Sequence, residues 1–318
     1  MFISKVDTIP FFLKEQIRFP FDNNFLRLIK KENKFEQEYY LVKNEQDFAF
    51  IIVYKMKLNI FTFGKANLSL KTSVIGLPCS LSEPGFLTNN SNLVFEFAKR
   101  LKGPILILNT KTNKNHDGFA KGETLPTCVL KINCNNTQEY LESLRSSYRR
   151  RINLAIKKCK DIKIKETRKD IYNLYLNTYN KSNYKLEKLE KGFFDNVDAT
   201  ALSFIKNKKT VGFVLLKQID NKIVFMFCGM DYEKETSDLY YYMLFNIIDY
   251  AIKHKCNTID FGQTSEETKM KFGATLEKRY FYARHSNSII NKIVESKKEL
   301  LAYKYNFPNY RVFKNNKN

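Results

Sequence analysis

The residues best suited to chemistry lie between Asp260 and His285. Asp260 ends a short apolar run and is followed by Phe261 and Gly262, the glycine allowing a sharp turn where a side chain would obstruct the backbone. The next stretch, SEETKMKFG, opens on Ser265, a good helix N-cap, carries Lys269 and Lys271, and stops at Gly273. A strand-end carboxylate beside such a turn can orient an amine or accept its proton, so Asp260 and Lys269 are the catalytic candidates. Gly262 and Lys271 join them as substrate-binding candidates. Lys269 and Lys271 are two apart and point to different faces of a helix, so one can reach a phosphate while the other is solvated; two plain surface lysines is the competing reading. Asp260 equally suits capping its own turn. Glu266 and Glu267 are alternative bases, or simply acids favoured at a helix start. His285 follows a Tyr/Phe-rich strand and fits a structural role as well as a chemical one, and His116, in NKNHDG, reads as exposed and inert.

The elements that would hold these residues can be read outward from them. Residues 200–206, 210–218 and 222–230 are three strand-like runs joined by the tight turns Asn207-Lys208-Lys209 and Asp220-Asn221, an antiparallel meander. Residues 237–255 form a helix that is apolar almost all round and hence buried on several sides, with one polar stripe of Tyr242, Asn246, Asp249 and Lys253. Residues 137–160 read as one long helix with the stripe Leu141, Leu144, Tyr148, Ile152 and Ala155, and it carries Arg145, Arg149, Arg150, Arg151, Lys157, Lys158 and Lys160. Residues 170–181 add another helix. The first third is strand-rich, at 38–42, 48–54, 58–63 and 68–75, followed by a helix at 92–102, a buried strand at 104–109, a polar loop at 110–122 and a strand at 127–132. Residues 287–302 read as a terminal helix and the tail from 306 as polar, basic and frayed.

Composition bounds the rest. A hydrophobic fraction of 43% and an aromatic fraction of 14% belong to a globular chain with real cores, and 318 residues suffice for two domains. The expected boundaries are 1–135, 136–305 and a basic tail, 306–318. A net charge of +21 attracts polyanions such as RNA, acidic lipid head groups or phosphorylated metabolites. The six cysteines form no CxxC pair and the three histidines lie near none of them, so no metal site is expected and the thiols read as reduced, cytoplasmic ones. Nothing resembles a signal peptide or a membrane span, so the protein reads as soluble, with peripheral membrane contact as a partner option.

The order from residue 200 onward resembles the GNAT N-acyltransferase fold. The segments SSYRRRINLAIKK, LYYYMLFNIIDYAIKHK, TIDFG and ETKMKFGA resemble the FemAB group within it, which includes the peptidoglycan-bridge aminoacyltransferases. The resemblance implies an α/β (α+β) tandem GNAT-like fold, with a mixed central sheet flanked by helices and a degenerate first unit. It also implies a donor ester or thioester held in a V-shaped gap between two parallel strands, here 224–230 and 258–261. Backbone N–H groups near Cys228, Gly229 and Met230 would hold the acyl carbonyl, and Tyr148, Arg149 and Arg151 would contact an anionic substrate. The Cys228 thiol itself reads as core packing rather than a nucleophile.

One departure bears on the donor. Acetyl-CoA-using members place a glycine-rich loop before the buried helix, where backbone amides cradle the pyrophosphate. Here the segment Asp231 to Asp238 reads DYEKETSD, with no glycine and four acids. The expected donor is therefore charged aminoacyl-tRNA, as in the FemAB enzymes, with acyl-CoA or an acyl carrier protein as the rival. The expected acceptor is a phosphorylated, amine-bearing precursor of the cell envelope, and no cofactor is called for. A different-class rival is a non-catalytic protein that binds RNA or an anionic surface. Changing Arg149 and Arg151 together to Ala is expected to weaken anion binding without altering the melting temperature.

Overall fold

The β-branched and aromatic runs become strands and the periodic runs become helices. In the computed structural model, which describes residues 1–64, 67–233 and 237–314, the chain begins β1 (Phe2–Val6), α1 (Asn23–Lys31), β2 (Gln37–Asn44), β3 (Asp47–Asn59), β4 (Ser69–Ile75), β5 (Phe86–Thr88) and α2 (Asn92–Ala98). It continues β6 (Pro104–Thr110), β7 (Ala120–Glu123), β8 (Thr127–Lys131), α3 (Thr137–Ser143), α4 (Ser146–Lys158), β9 (Lys163–Glu166), α5 (Ile171–Lys181) and α6 (Lys191–Asn196). The last part is β10 (Thr200–Lys206), β11 (Lys209–Ile219), β12 (Lys222–Met230), α7 (Ser237–Lys253), β13 (Thr258–Asp260), α8 (Glu266–Met270), β14 (Thr275–Glu277), β15 (Tyr280–His285) and α9 (Ser288–Ser296).

Two compact units result. The first comprises Met1–Leu125, Tyr184–Phe193 and Lys278–Tyr305, the second Pro126–Asn183, Phe194–Glu277 and Asn306–Asn318. This departs from the contiguous 1–135 and 136–305 division, because strand pairing between distant segments, not chain order, sets the units.

In the first unit the sheet order is β1-β2-β3-β4-β6-β15-β7, with β5 paired to β3. Among the described residues of this sheet only β4 and β6 run parallel. The Tyr/Phe-rich strand β15 sits between β6 and β7, where Tyr282 is fully buried. This strand therefore belongs to the first unit's sheet although it directly follows the second unit's last strand in sequence. His285 pairs with Pro104 and its Nδ1 accepts from the Asn287 N–H, a structural role. His116 is not the exposed loop residue expected, since its ring stacks on Phe95 at 3.4 Å. The segment 184–193 is pinned by Glu187, whose buried carboxylate accepts from the Tyr54 and Ser80 hydroxyls.

The second unit has the order β14-β8-β13-β12-β11-β10-β9. The meander β10–β11–β12 and the buried helix α7 are as expected, with Leu239, Met243, Leu244, Ile247, Ile248 and Ala251 of α7 in the core. The polar stripe of α7 is a satisfied seam: Lys253 pairs with Asp249, Thr137 donates to Asp249, and Asn246 donates to the Tyr242 carbonyl. The single helix expected over 137–160 is broken into α3 and α4. Leu144 turns extended there and forms a β-bridge with Phe313, while the Arg145 N–H donates to the Val312 carbonyl. The tail is thus docked rather than frayed as far as Lys314, with Val312 buried; residues 315–318 lie outside the described ones. The run 58–63 is not a separate strand, since β3 extends to Asn59 and a turn follows. Among the described residues no helix is long and apolar enough to cross a membrane.

Candidate active site

The site grows from a split between two parallel strands of the second unit. β12 and β13 pair only at Lys222–Thr258, Ile223–Ile259 and Val224–Asp260. Directly after this, β12 carries an irregularity against β11: Leu216 faces Phe225 and Leu215 faces Phe227, which leaves Met226 as an extra residue. A bulge of this kind bends a strand and increases its twist. β12 runs on to Met230 while β13 ends at Asp260 and the chain turns at Gly262, so the two parallel strands stop pairing after Val224.

The turn that leaves β13 is held in an uncommon conformation. Gly262 (φ 69°), Thr264 (φ 63°) and Ser265 (φ 51°) all have left-handed backbones. For β-branched Thr264 this costs about 1–3 kcal/mol, which the surroundings must offset. Asp260 does part of this work. Its Oδ1 accepts from the Gly262 N–H at 2.9 Å and the Thr127 hydroxyl at 3.3 Å, and its Oδ2 meets the Lys222 ammonium at 3.1 Å. Both oxygens are occupied and the side chain is buried. The turn-capping reading of Asp260 is the one the geometry displays, and its carboxylate positions the turn.

Lys269 holds the other side. It is 2% exposed and its ammonium donates to the carbonyls of Gln263 at 2.7 Å and Gly262 at 3.3 Å. Burial lowers its pKa, against the opposing pull of Cys128, Cys228, Glu266 and Asp260. Lysine has three donors, so one N–H remains for a ligand. Glu266, one turn of α8 earlier, is 6% exposed and its Oε1 has no hydrogen-bond partner. Tyr240 of α7 hydrogen-bonds Ser265, and burial raises its pKa well above the ordinary phenol value. Ser265 thus lacks the helix-capping bond expected of it. Lys271 points the opposite way from Lys269, as the spacing predicted. It pairs with Glu267 at 2.9 Å, and Tyr310 of the docked tail donates to the same carboxylate oxygen.

Along β12 the three candidate residues differ in role. Gly229 is needed for packing, because a Cβ there would lie 2.3 Å from the Leu174 backbone of α5. Burial pushes the Cys228 thiol up to about 11, which suits packing and not nucleophilic attack. Met230 accepts from Asn177 at its carbonyl. Beside this strand end lies an open groove lined by Leu174, Asn177, Asn180, Lys181 and Tyr232, where the Lys181 ammonium sits 3.9 Å from the Tyr232 ring centre.

The arginine helix meets the start of α7. Arg151 contacts Asp238 at 2.8 Å and stacks over the Tyr241 ring, and Lys158 reaches the second oxygen of Asp238 at 2.9 Å. Arg151 is therefore engaged internally, contrary to its expected role as a free anion contact. The sequence showed the acids of DYEKETSD but not that Asp238 is covered by two cations. Lys234, Glu235 and Thr236 of that segment lie outside the described residues. Arg149 is half-buried and makes no ion pair among the described residues, and Tyr148 packs at the edge of the core. Among the described residues neither shares a hydrogen bond or ion pair with Lys269, whose donors go to Gly262 and Gln263. Asp238, Lys222 and Tyr240 were missed in sequence because their partners are remote in the chain.

No protein-family model matches the chain, and no curated protein matches it. Solved structures do. The C-terminal domain (DUF2156) of a putative lysylphosphatidylglycerol synthetase from Agrobacterium fabrum has a TM-score of 0.54 at 10% identity, covering 88% of this chain and 92% of its own. L-PGS from Bacillus licheniformis has a TM-score of 0.53 at 8% identity, covering 87% and 95%. A FemX structure is looser, at 0.49 and 12% identity over 86% and 93%. At these identities the likeness is one of fold. The expected α/β architecture of mixed sheets flanked by helices is the one observed, and it is shared with these structures.

Proposed function

We propose that the second unit is an acyltransferase domain that moves an aminoacyl group from charged tRNA, or another acyl group, onto an amine of a cell-envelope precursor. The observation that carries this reading is the bulged split between β12 and β13 with the buried ammonium of Lys269 beside it. Beyond Val224 no strand pairs with β12 on its β13 side among the described residues. The Asp231 N–H donates to the Val211 carbonyl, so by the antiparallel alternation the Gly229 N–H is taken up by β11, and the N–H groups of Cys228 and Met230 are the ones that would meet an acyl carbonyl. The acceptor nitrogen attacks the carbonyl carbon, a C–N bond forms, and negative charge develops on oxygen. Those N–H groups and the third N–H of Lys269 stabilise that charge. The amine proton passes to the unpartnered Oε1 of Glu266, and the C–O bond to the tRNA ribose breaks as that oxygen regains a proton. Asp260 positions the turn throughout.

Two features support tRNA over CoA: the glycine-free segment before α7 and the net charge of +21. The envelope acceptor takes support from the fold shared with a lysylphosphatidylglycerol synthetase domain. The acyl-CoA reading has one observation in its favour, since Arg151 and Lys158 cover the charge of Asp238. A single-turnover assay with charged tRNA or acetyl-CoA and a panel of amine acceptors separates the two. Transfer from charged tRNA is expected. Transfer from acetyl-CoA alone would replace the donor, and tight RNA binding with no transfer to any acceptor would sink the enzymatic reading.

A further inference from the structure

Helix α9 is inverted relative to an ordinary surface helix. Helices at the edge of a unit normally bury their apolar stripe and expose their polar one. Here the residue that α9 buries is Asn291, at 9% exposure. Its amide donates to the Gly118 carbonyl at 3.1 Å and to Glu295 at 2.6 Å, and its oxygen accepts from the His285 N–H at 2.8 Å. Ile289, Ile290 and Ile293 face outward at 72%, 43% and 57% exposure, and Leu300 follows at 55%. At roughly 100° per residue the three isoleucines span an arc of about 100°, and Asn291 and Glu295 lie opposite it. Lys292 flanks this arc and Lys297 lies at its C-terminal end, with Lys298 next in the chain. These three lysines are exposed and make no ion pair among the described residues.

We infer that this face of α9 docks on an anionic lipid bilayer. Its isoleucines would enter the boundary between head groups and acyl chains, while its lysines meet lipid phosphates. Charge selects this occupant. An apolar arc rimmed by unpaired cations is the pattern of an interfacial helix, and a second copy of a chain of net charge +21 would bring like charge to the same face. The inference concerns the first unit and stands apart from the transfer reading.

Sedimentation of the full chain with phosphatidylcholine vesicles, with or without one-quarter phosphatidylglycerol, tests it. The wild type is expected to pellet with the anionic vesicles at least tenfold more tightly than with the neutral ones. Ile289→Ser with Ile293→Ser, and separately Lys292→Glu with Lys297→Glu, are each expected to weaken anionic binding tenfold or more at an unchanged melting temperature. Ile289→Ser alone, at the most exposed position, is expected to weaken it measurably and guards against misfolding of the double variants. Failure of the wild type to pellet would overturn the inference, as would binding indifferent to the isoleucine changes. A concentration-dependent dimer in light scattering that the isoleucine changes abolish would overturn it too, because a second copy would then cover the face.

Discussion

The Lys269 ammonium donates to the Gln263 carbonyl at 2.7 Å, inside a turn whose Thr264 and Ser265 are both left-handed. One cation therefore holds the strained turn and stands beside the strand split. Its two carbonyl partners fix its position, and in the proposed transfer its remaining N–H would meet the developing charge without reorganisation.

Lys269→Met removes this group at similar length. Transfer should fall by about 10²–10³-fold if the ammonium stabilises the oxyanion. Two buried carbonyls also lose their donor, so stability should drop by about 1–3 kcal/mol. Chemical denaturation beside single-turnover rates separates the two effects, and the reading fails if only stability changes. The pH dependence has a defined sign. Because burial lowers the folded pKa below 10.5, the unfolded chain binds more protons between the two values, and stability rises with pH across that window. That rise should be absent in the Met variant.

Gly229 and Gly262 should respond differently to alanine. At Gly229 a Cβ would meet the Leu174 backbone at 2.3 Å, so α5 must move off β12, at about 1–3 kcal/mol or more. At Gly262 the nearest atom is the Phe225 carbonyl oxygen at 3.6 Å, and the cost is that of a left-handed alanine, about 1–2 kcal/mol. Melting curves should show the larger loss for Gly229→Ala; the reverse order would mean that the turn, not the helix contact, is the tighter constraint.

The two arginines once paired in expectation should now separate. Arg149→Ala should leave the melting temperature nearly unchanged. Arg151→Ala deprives the buried carboxylate of Asp238 of one of its two cations and should cost about 1–2 kcal/mol. Equal melting temperatures for the two variants would show that Lys158 alone suffices.

Glu187 offers a test of the first unit. Burial raises its pKa above 4.5, so its contribution to stability is full below that value and is lost as pH rises through the folded pKa. Glu187→Gln keeps an acceptor for Tyr54 and should flatten this dependence in pH-resolved urea melts. Glu187→Leu leaves the buried Tyr54 hydroxyl without its acceptor and should destabilise by about 1–3 kcal/mol.

The sequence by itself determined the local elements and the class of fold. The meander, the all-round apolar α7 and the Gly262 turn were legible because period, turn residues and caps are properties of neighbours in the chain. It also set the opposite faces of Lys269 and Lys271. Tertiary structure alone decided which strands pair. It put β15 with β6 and β7 and carried β8 to the side of β13, because an alternating pattern marks a strand without naming its partner. It likewise decided the state of each charge: Asp260 filled by Lys222 and Thr127, Arg151 spent on Asp238, Glu266 left with an open oxygen. At Asp260 alone, the partners Lys222 and Thr127 lie 38 and 133 residues away along the chain, a separation that no local pattern encodes.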